Sequence, residues 1–359
     1  MGGLIRIGLL PGDGIGREVI PEAVKVLEAA AAAFDFALEL TWYPFGADHY
    51  LETGVTLPTG QLKRFKEQHD ALLVGAFGDP RVPDQRHAAE ILLGIRFELD
   101  LFMNFRPCRL YDARLCPLKG KQEADVDFVV FRENTEGAYA GVGGVLRRGT
   151  AHEVAIQQEV HTRRGVERIV RAAFEYAKAH GRDEVVMVDK ANAMPHGHGL
   201  WRRAFAEVAE EFPDIRTRCL YVDAAVAEMV RFPERFQVIV TNNLFGDILT
   251  DLAAALQGGL GLAASANRHP GQLSMYEPVH GSAPDIAGTG RANPVGAILS
   301  AALLLEDAGQ LVAARAVEQA VAQTLRQGIW TPDLGGSAST SELGDVVSER
   351  VGSRSFVES

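Results

Sequence analysis

The stretch Val238–Leu256, VIVTNNLFGDILTDLAAAL, decides the fold class. It opens on a β-branched run that reads as a buried strand. The polar pair Asn242–Asn243 follows, and then apolar residues recur at helical spacing. The same strand-then-helix unit recurs along the chain. Leu4–Leu10 reads as a buried strand, and Val19, Ala23, Val26, Leu27 and Ala30 follow at helical spacing. Ala71–Gly75, Phe128–Phe131, Glu184–Val188 and Gln237–Thr241 are strand-like, and Ile91–Leu101 is helical. Such alternation implies an α/β architecture.

Within the opening stretch, Asp247 and Asp251 are four residues apart, so a helix sets both carboxylates on one face. They fall beyond the C-terminal end of a strand, where open α/β sheets bind ligands. Two carboxylates on one rigid face suit a hard divalent cation, Mg²⁺ or Mn²⁺. The plainer alternative for Asp247 is a negative charge in the helix's first turn. It serves Asp251 poorly, because an acid inside an apolar helix needs a partner.

Composition bounds the function. The chain has 359 residues, 47% hydrophobic and 23% charged, with a net charge of −11. The length corresponds to roughly two domains. A uniformly acidic chain repels phosphate backbones and anionic membranes, which argues against nucleic-acid and membrane partners. It leaves room for a small anionic substrate where basic groups gather locally. Cys108, Cys116 and Cys219 form no CxxC pair, which argues against a disulfide framework. The Met1–Leu10 segment lacks the charged start and cleavage site of a secretory signal. A reduced, cytoplasmic protein is expected.

Three arginines emerge from apolar surroundings: Arg96 and Arg106 in RFELDLFMNFRP, and Arg132 in FVVFRENTEG. They suit bidentate carboxylate recognition, although each alone is equally an ordinary surface arginine. Lys190 directly follows a strand, in VMVDKANAMPHG, and Tyr139 lies among glycines. A desolvated lysine near a metal can serve as a base. Asp223, in LYVDAAVAEMV, is a third acid at a strand end; alone it would most often cap a helix. His196 and His198 lie two apart beside Gly and Pro without a third ligand at zinc spacing, and read as loop residues.

The glycine signals differ in strength. PGDGIG, Pro11–Gly16, spaces its glycines as G-x-G-x-G and so misses the dinucleotide fingerprint; it reads as a tight strand-to-helix turn. In EPVHGSAPDIAGTGRAN, Glu277–Asn293, small residues permit close backbone approach to a ligand. Asp285 there can accept from ribose hydroxyls and would repel a 2′-phosphate, so an adenine dinucleotide bound here should be NAD. Thr135–Thr150 is glycine-rich and His152–Val160 alternates like an exposed strand. The pair reads as a surface loop or as a hairpin that meets another subunit.

Together these segments resemble the isocitrate/isopropylmalate family of metal-dependent β-decarboxylating dehydrogenases. The likeness runs in order through LLPGDGIGREV, RFELDLFMNFRP, RENTEG, DKAN, YVD, NNLFGDILTDL, EPVHGSAPDIAG and TPDLGGSAST. The resemblance implies a two-domain, non-Rossmann α/β fold. Residues 1–101 and 258–359 would form a discontinuous cofactor domain. Residues 102–257 would form an inserted domain with a dimerisation arm, the ligand cleft lying at their junction. It implies oxidation and decarboxylation of a 2-hydroxy acid bearing a C3 carboxylate, using NAD and Mg²⁺ or Mn²⁺. Arg96, Arg106 and Arg132 would clamp the substrate, and Asp223, Asp247 and Asp251 would hold the metal. Lys190 and Tyr139 would be the catalytic base and acid. In a homodimer with shared active sites, Asp223 and Lys190 would come from the neighbouring subunit. Asn192, Glu277, His280, Gly281, Ser282, Ala283, Asp285, Ile286 and Asn293 would line the cofactor site.

The helix before Arg96 reads the substrate's C3 substituent in this family. Here it carries Leu92 and Leu93 in AAEILLGIR. A leucine pair suits an isopropyl group, which ranks 3-isopropylmalate, a leucine-biosynthesis substrate, first. D-malate/tartrate ranks second, because those enzymes also carry a leucine pair, and isocitrate or homoisocitrate third. Ala193, where isopropylmalate enzymes usually have valine, and the wording RENTEG both weigh toward the alternatives. A non-catalytic regulatory subunit is the rival class. The presence of Tyr139, Lys190, Asp223, Asp247 and Asp251 together opposes it.

Overall fold

The computed structural model describes residues 3–354; Met1 and Gly2 of the N-terminal segment lie outside the described residues. In chain order the elements begin with β1 (Leu4–Gly12), α1 (Gly16–Phe34), β2 (Ala37–Trp42), α2 (Ala47–Thr53), α3 (Gln61–Gln68), β3 (Ala71–Ala76) and α4 (Arg86–Glu98). Next come β4 (Met103–Arg109), β5 (Asp127–Glu133), β6 (Gly143–Leu146), β7 (Val154–Gln157), α5 (Arg163–Ala179), β8 (Glu184–Asp189) and α6 (Gly197–Ala209). Then follow β9 (Arg216–Tyr221), α7 (Val222–Arg231), β10 (Val238–Thr241) and α8 (Asn243–Gln257). The last elements are β11 (Ala264–Arg268), β12 (Ser274–Pro278), α9 (Val295–Asp307), α10 (Leu311–Arg326) and α11 (Thr340–Ser353). Every strand named from the sequence is present. The helix expected over Ile91–Leu101 instead spans Arg86–Glu98, and Asp100 turns the chain with a positive φ of 49°.

The chain divides into two compact units. The first comprises Met1–Leu101, Arg109–Glu123 and Ala254–Ser359; the second comprises Phe102–Cys108 and Ala124–Ala253. In the first, strands run in the order β2-β1-β3-β12-β11, parallel except for the antiparallel β11–β12 pair. β1 and β3 are apolar runs buried on both faces, as parallel strands covered by helices must be. Ile7, Leu9 and Leu10 of β1 and Leu72, Leu73 and Val74 of β3 are fully buried. α1 and α9 supply the cover, and α9 is buried from Val295 to Leu305. α11 starts on a capping box, in which Ser339 and Glu342 satisfy each other's backbone amides.

The Pro11–Gly16 turn is the tight strand-to-helix connection that its spacing implies. Gly14 has φ 51°, and a Cβ on it would meet the Ser282 carbonyl oxygen at 2.0 Å, so only glycine fits. The Ile15 amide donates to that same carbonyl, at 2.9 Å. Asp13, fully buried, accepts from the amides of Ala47 and Gly78 and from His87 Nε2 at 2.7, 2.9 and 2.8 Å. One carboxylate thus ties together the start of α2, the loop after β3 and the first turn of α4.

In the second unit the order is β4-β5-β10-β8-β9. β5, β10, β8 and β9 are mutually parallel, so their C-terminal ends share one edge. The glycine-rich stretch is a hairpin: β6 pairs antiparallel with β7, Leu146 opposite Val154 and Gly144 opposite Ile156. Leu146, Val154 and Ile156 share one face and are 62%, 46% and 51% exposed. Among the described residues, no helix is long and apolar enough to cross a membrane.

Candidate active site

The shared edge of the second unit collects the expected chemistry. Arg132 ends β5, Asp247 and Asp251 follow β10 on α8, Lys190 follows β8, and Asp223 follows β9 in the first turn of α7. Asn242 caps α8, its Oδ1 accepting from the Phe245 amide at 2.8 Å. Because α8 begins at Asn243, Asp247 lies in its second turn, and the first turn carries no acid. The helix-dipole explanation of Asp247 therefore fails, and its place is set by what it touches.

Asp247 is the hub. Its Oδ1 accepts from Arg132 Nη1 at 2.7 Å and Arg106 Nη1 at 3.5 Å, and its Oδ2 accepts from the Tyr139 hydroxyl at 2.9 Å. Arg132 is 2% exposed; its Nε donates to the Asn243 carbonyl at 2.9 Å, and its Nη2 to Asn243 Oδ1 at 2.8 Å. Arg106 also donates to the Thr250 hydroxyl, at 2.5 Å. Both guanidiniums are fixed before any ligand arrives. Gly246 makes this possible: a Cβ there would stand 2.5 Å from Arg132 Cγ. Asp251 is largely open to solvent, yet partial desolvation of its carboxyl and then the Asp247 charge raise its pKa. Two like charges one turn apart, both offering hard oxygen donors, fit a divalent cation.

Lys190 Nζ donates to Asp223, and this hydrogen bond holds the Asp223 carboxyl below its usual pKa. Neighbouring strands lie about 4.8 Å apart, so the end of β9 stands roughly 10 Å from the end of β10, two strand positions along. The Lys190–Asp223 pair and the Asp247–Asp251 pair are thus two clusters on one edge.

In the first unit, Arg96 Nη2 donates to Glu277 Oε1 at 2.6 Å, and Asn267 Nδ2 donates to the same oxygen at 2.8 Å. This ties α4 to the end of β12. Leu92 packs against the core around Ile91 and Ile95, while Leu93 is half-buried. In the Glu277–Asn293 loop, Ser282 is buried, Asp285 is exposed, and Ala283 takes a positive φ of 37°. His280 Nδ1 lies 2.9 Å from the Gly281 oxygen, and burial lowers its pKa. Gly281 is exposed, with space around its Cα, and Asn293, just before α9, accepts from the Val295 amide at 3.0 Å. Ile286 is half-buried. Glu18 on α1 accepts from the amides of Gly288 and Gly290 at 2.6 and 2.9 Å, which pins the loop to α1. Small residues, open backbone and an outward carboxylate fit an adenosine. Asn192 belongs to the second unit, in the exposed turn after β8.

His198 corrects the sequence reading: it lies in α6 rather than a loop and is fully buried. Its partners, Glu159 and His161, are distant in sequence, which is why no ligand-like spacing announced them.

A sequence profile described as isocitrate/isopropylmalate dehydrogenase matches residues 6–347. A 3-isopropylmalate dehydrogenase of Thermobifida fusca is 47% identical over 349 residues, covering 97% of this chain and 98% of that one. A 3-isopropylmalate dehydrogenase of Clavibacter sepedonicus is 50% identical, over 96% of this chain and 97% of that one. An isocitrate dehydrogenase structure from Methylococcus capsulatus superposes with a TM-score of 0.87 at 37% identity, covering 97% and 99% of the two chains. The structure of the TT0538 protein from Thermus thermophilus gives 0.86 at 35% identity, over 97% of this chain and 68% of that one.

Proposed function

This chain belongs to the isocitrate/isopropylmalate dehydrogenase family, and from that premise we propose that it oxidises and decarboxylates 3-isopropylmalate with NAD and Mg²⁺ or Mn²⁺. The observation that carries the reading is the buried Arg106–Arg132 pair converging on Asp247, with Tyr139 on that carboxylate's other oxygen. Relatives at 47–50% identity named for 3-isopropylmalate favour that acid over isocitrate.

Arg96, Arg106 and Arg132 bind the substrate's carboxylates by charge-assisted hydrogen bonds and orient C2 for hydride loss. Asp247 and Asp251, joined by Asp223 of a second protomer, would hold the cation. When bound, the cation supplies Lewis-acid stabilisation of negative charge on the C2 oxygen. When bound on the Glu277–Asn293 loop, the dinucleotide supplies the hydride acceptor. Lys190 of the second protomer takes the C2 hydroxyl proton, and the Tyr139 hydroxyl returns a proton to C3 once CO₂ has left. The exposed apolar face of the β6–β7 hairpin supports the homodimer.

Rates of NADH formation on 3-isopropylmalate, D-malate, isocitrate and homoisocitrate, each with NAD and Mn²⁺, test the reading. Burying an isopropyl group against Leu92 and Leu93 is worth about 2 kcal/mol, or roughly 30-fold in kcat/KM over D-malate. A preference for D-malate would reject the substrate and keep the reaction class. Activity on none of the four would reject the class.

A further inference from the structure

A buried polar cluster stands beside the groups just assigned and takes no part in the chemistry. Glu159 Oε2 lies 3.3 Å from His198 Nε2 and 3.3 Å from His161 Nε2, the latter contact lying off the hydrogen-bond direction. The three side chains are 12%, 1% and 3% exposed, respectively. Their spacing invites a metal site, because two imidazoles and a carboxylate are familiar zinc ligands. The outer nitrogens of the rings oppose that. His198 Nδ1 accepts the Lys190 backbone amide at 2.6 Å, and His161 Nδ1 accepts the Trp201 indole N–H at 3.1 Å. A backbone amide and an indole can only donate. Both Nδ1 atoms are therefore unprotonated, and each neutral ring carries its proton on Nε2: that of His198, which also has Asn242 Nδ2 at 3.1 Å, donates to Glu159, and that of His161 lies beside Glu159 without a directed hydrogen bond. A metal would need those same Nε2 lone pairs free, and the rings would then have to be imidazolates.

The cluster's connections show what it does instead. Asn242 Nδ2 donates to Glu159 Oε1 at 3.1 Å, while Asn242 Oδ1 caps α8, the helix of Asp247 and Asp251. The next residue after Glu159, Val160, bridges to Gly137, two residues before Tyr139. His198 carries the Lys190 amide.

We propose that Glu159, with His161 and His198 fixed as Nε2–H tautomers, is a positioning residue that sets in one register Lys190, which serves the second protomer's site, and the Tyr139 segment and start of α8, which serve its own. The proposal rests on the decarboxylating-dehydrogenase reading, and it adds a node that touches neither substrate nor cofactor. Glu159→Gln replaces one acceptor oxygen with an amide donor among groups that already donate. One contact must break or one ring must change tautomer, and Lys190 shifts with His198.

The experiment pairs histidine-selective ¹⁵N spectra of the full-length protein at neutral pH with steady-state kinetics of the wild type and Glu159→Gln. The wild-type spectra should show both rings protonated on Nε2 alone. The variant should show a changed signature for at least one ring. Its kcat should fall on the order of 10- to 100-fold, the cost of misplacing a catalytic group by about an ångström. KM for the acid should change far less, because the arginines are untouched. A cationic or Nδ1-protonated ring in the wild type overturns the proposal without any variant, so a Glu159→Gln protein that fails to fold does not shelter it. A folded variant whose kcat stays within twofold overturns it too, while leaving the dehydrogenase reading intact. A wild type with the expected spectra that is inactive on all four acids overturns that reading, and this role with it.

Discussion

Replacing Gly246 by alanine sets two effects against each other at one atom. The added Cβ would lie 2.5 Å from Arg132 Cγ and 2.7 Å from its Cβ. Carbon atoms in contact prefer about 3.5–4.0 Å, so one side must yield by about 1 Å. The α8 backbone is held by its own ladder, and the partly open side of Asp247 leaves room for Arg132 to shift, so the guanidinium gives way. Alanine gains about 1 kcal/mol of helix propensity over glycine, and overpacking costs about 1–3 kcal/mol. Stability should therefore fall by no more than about 2 kcal/mol. Activity has no such offset. Moving a carboxylate clamp by about 1 Å costs on the order of 100-fold in kcat/KM. The assay is NADH formation across 3-isopropylmalate and Mn²⁺ concentrations, with thermal melting of the same preparation. A folded Gly246→Ala enzyme keeping kcat/KM within threefold of wild type would refute the assignment of Arg132 as a clamp.

Other outcomes follow from single features. Wild-type protein should use NAD far better than NADP, and Asp285→Ala should narrow the kcat/KM ratio; equal use by the wild type would remove Asp285 from beside the ribose. Asp79, hydrogen-bonded by Arg81, has its pKa held at about 2 against an ordinary 3.8. Its folded value is depressed, so the stabilisation is present above pH ~3.8 and lost as pH falls through ~2. Asp79→Asn should cost about 1 kcal/mol near neutrality, after discounting for the exposed Arg81, and nothing in strong acid. A penalty independent of pH in denaturant titrations would assign it to backbone geometry instead. Leu146→Lys with Ile156→Lys should convert a dimer to monomers in sedimentation velocity and abolish turnover; an active monomer would exclude a shared site.

Strand placement was legible because parallel strands buried on both faces are continuous apolar runs, as in Leu72–Val74. Arg132 and Asp247 were legible because one stands at the end of a strand and the other follows one, and strand ends gather on one edge. The Asp247 hub was not, since its partners come from β4, β5 and the Tyr139 segment, and only folding brings them to one carboxylate. The hairpin stayed ambiguous with a loop because all eight residues of its two strands are exposed, so no burial pattern marked them. Glu159, His161 and His198 were invisible for the opposite reason: they are buried polar groups whose meaning lies wholly in their partners. Excursion 109–123 joins the first unit although it separates two strands of the second, an allegiance that no local pattern encodes.

The close seat of Gly14 against Ser282 has a bearing on how the protein is made. Lys25 on α1 bonds Asp345 on α11, 320 residues later. A ribosome adding ~5–20 residues per second separates those two moments by roughly 15–60 s. Throughout that interval α1 lacks α9 and α11, the late helices it packs against, while Ala124–Ala253 emerges as a nearly continuous stretch able to close on itself. The inserted unit is thus born ahead of the unit that surrounds it in sequence. The apolar face of α1 is the nascent chain's vulnerable segment, the one a holdase would need to shield until the last helix arrives.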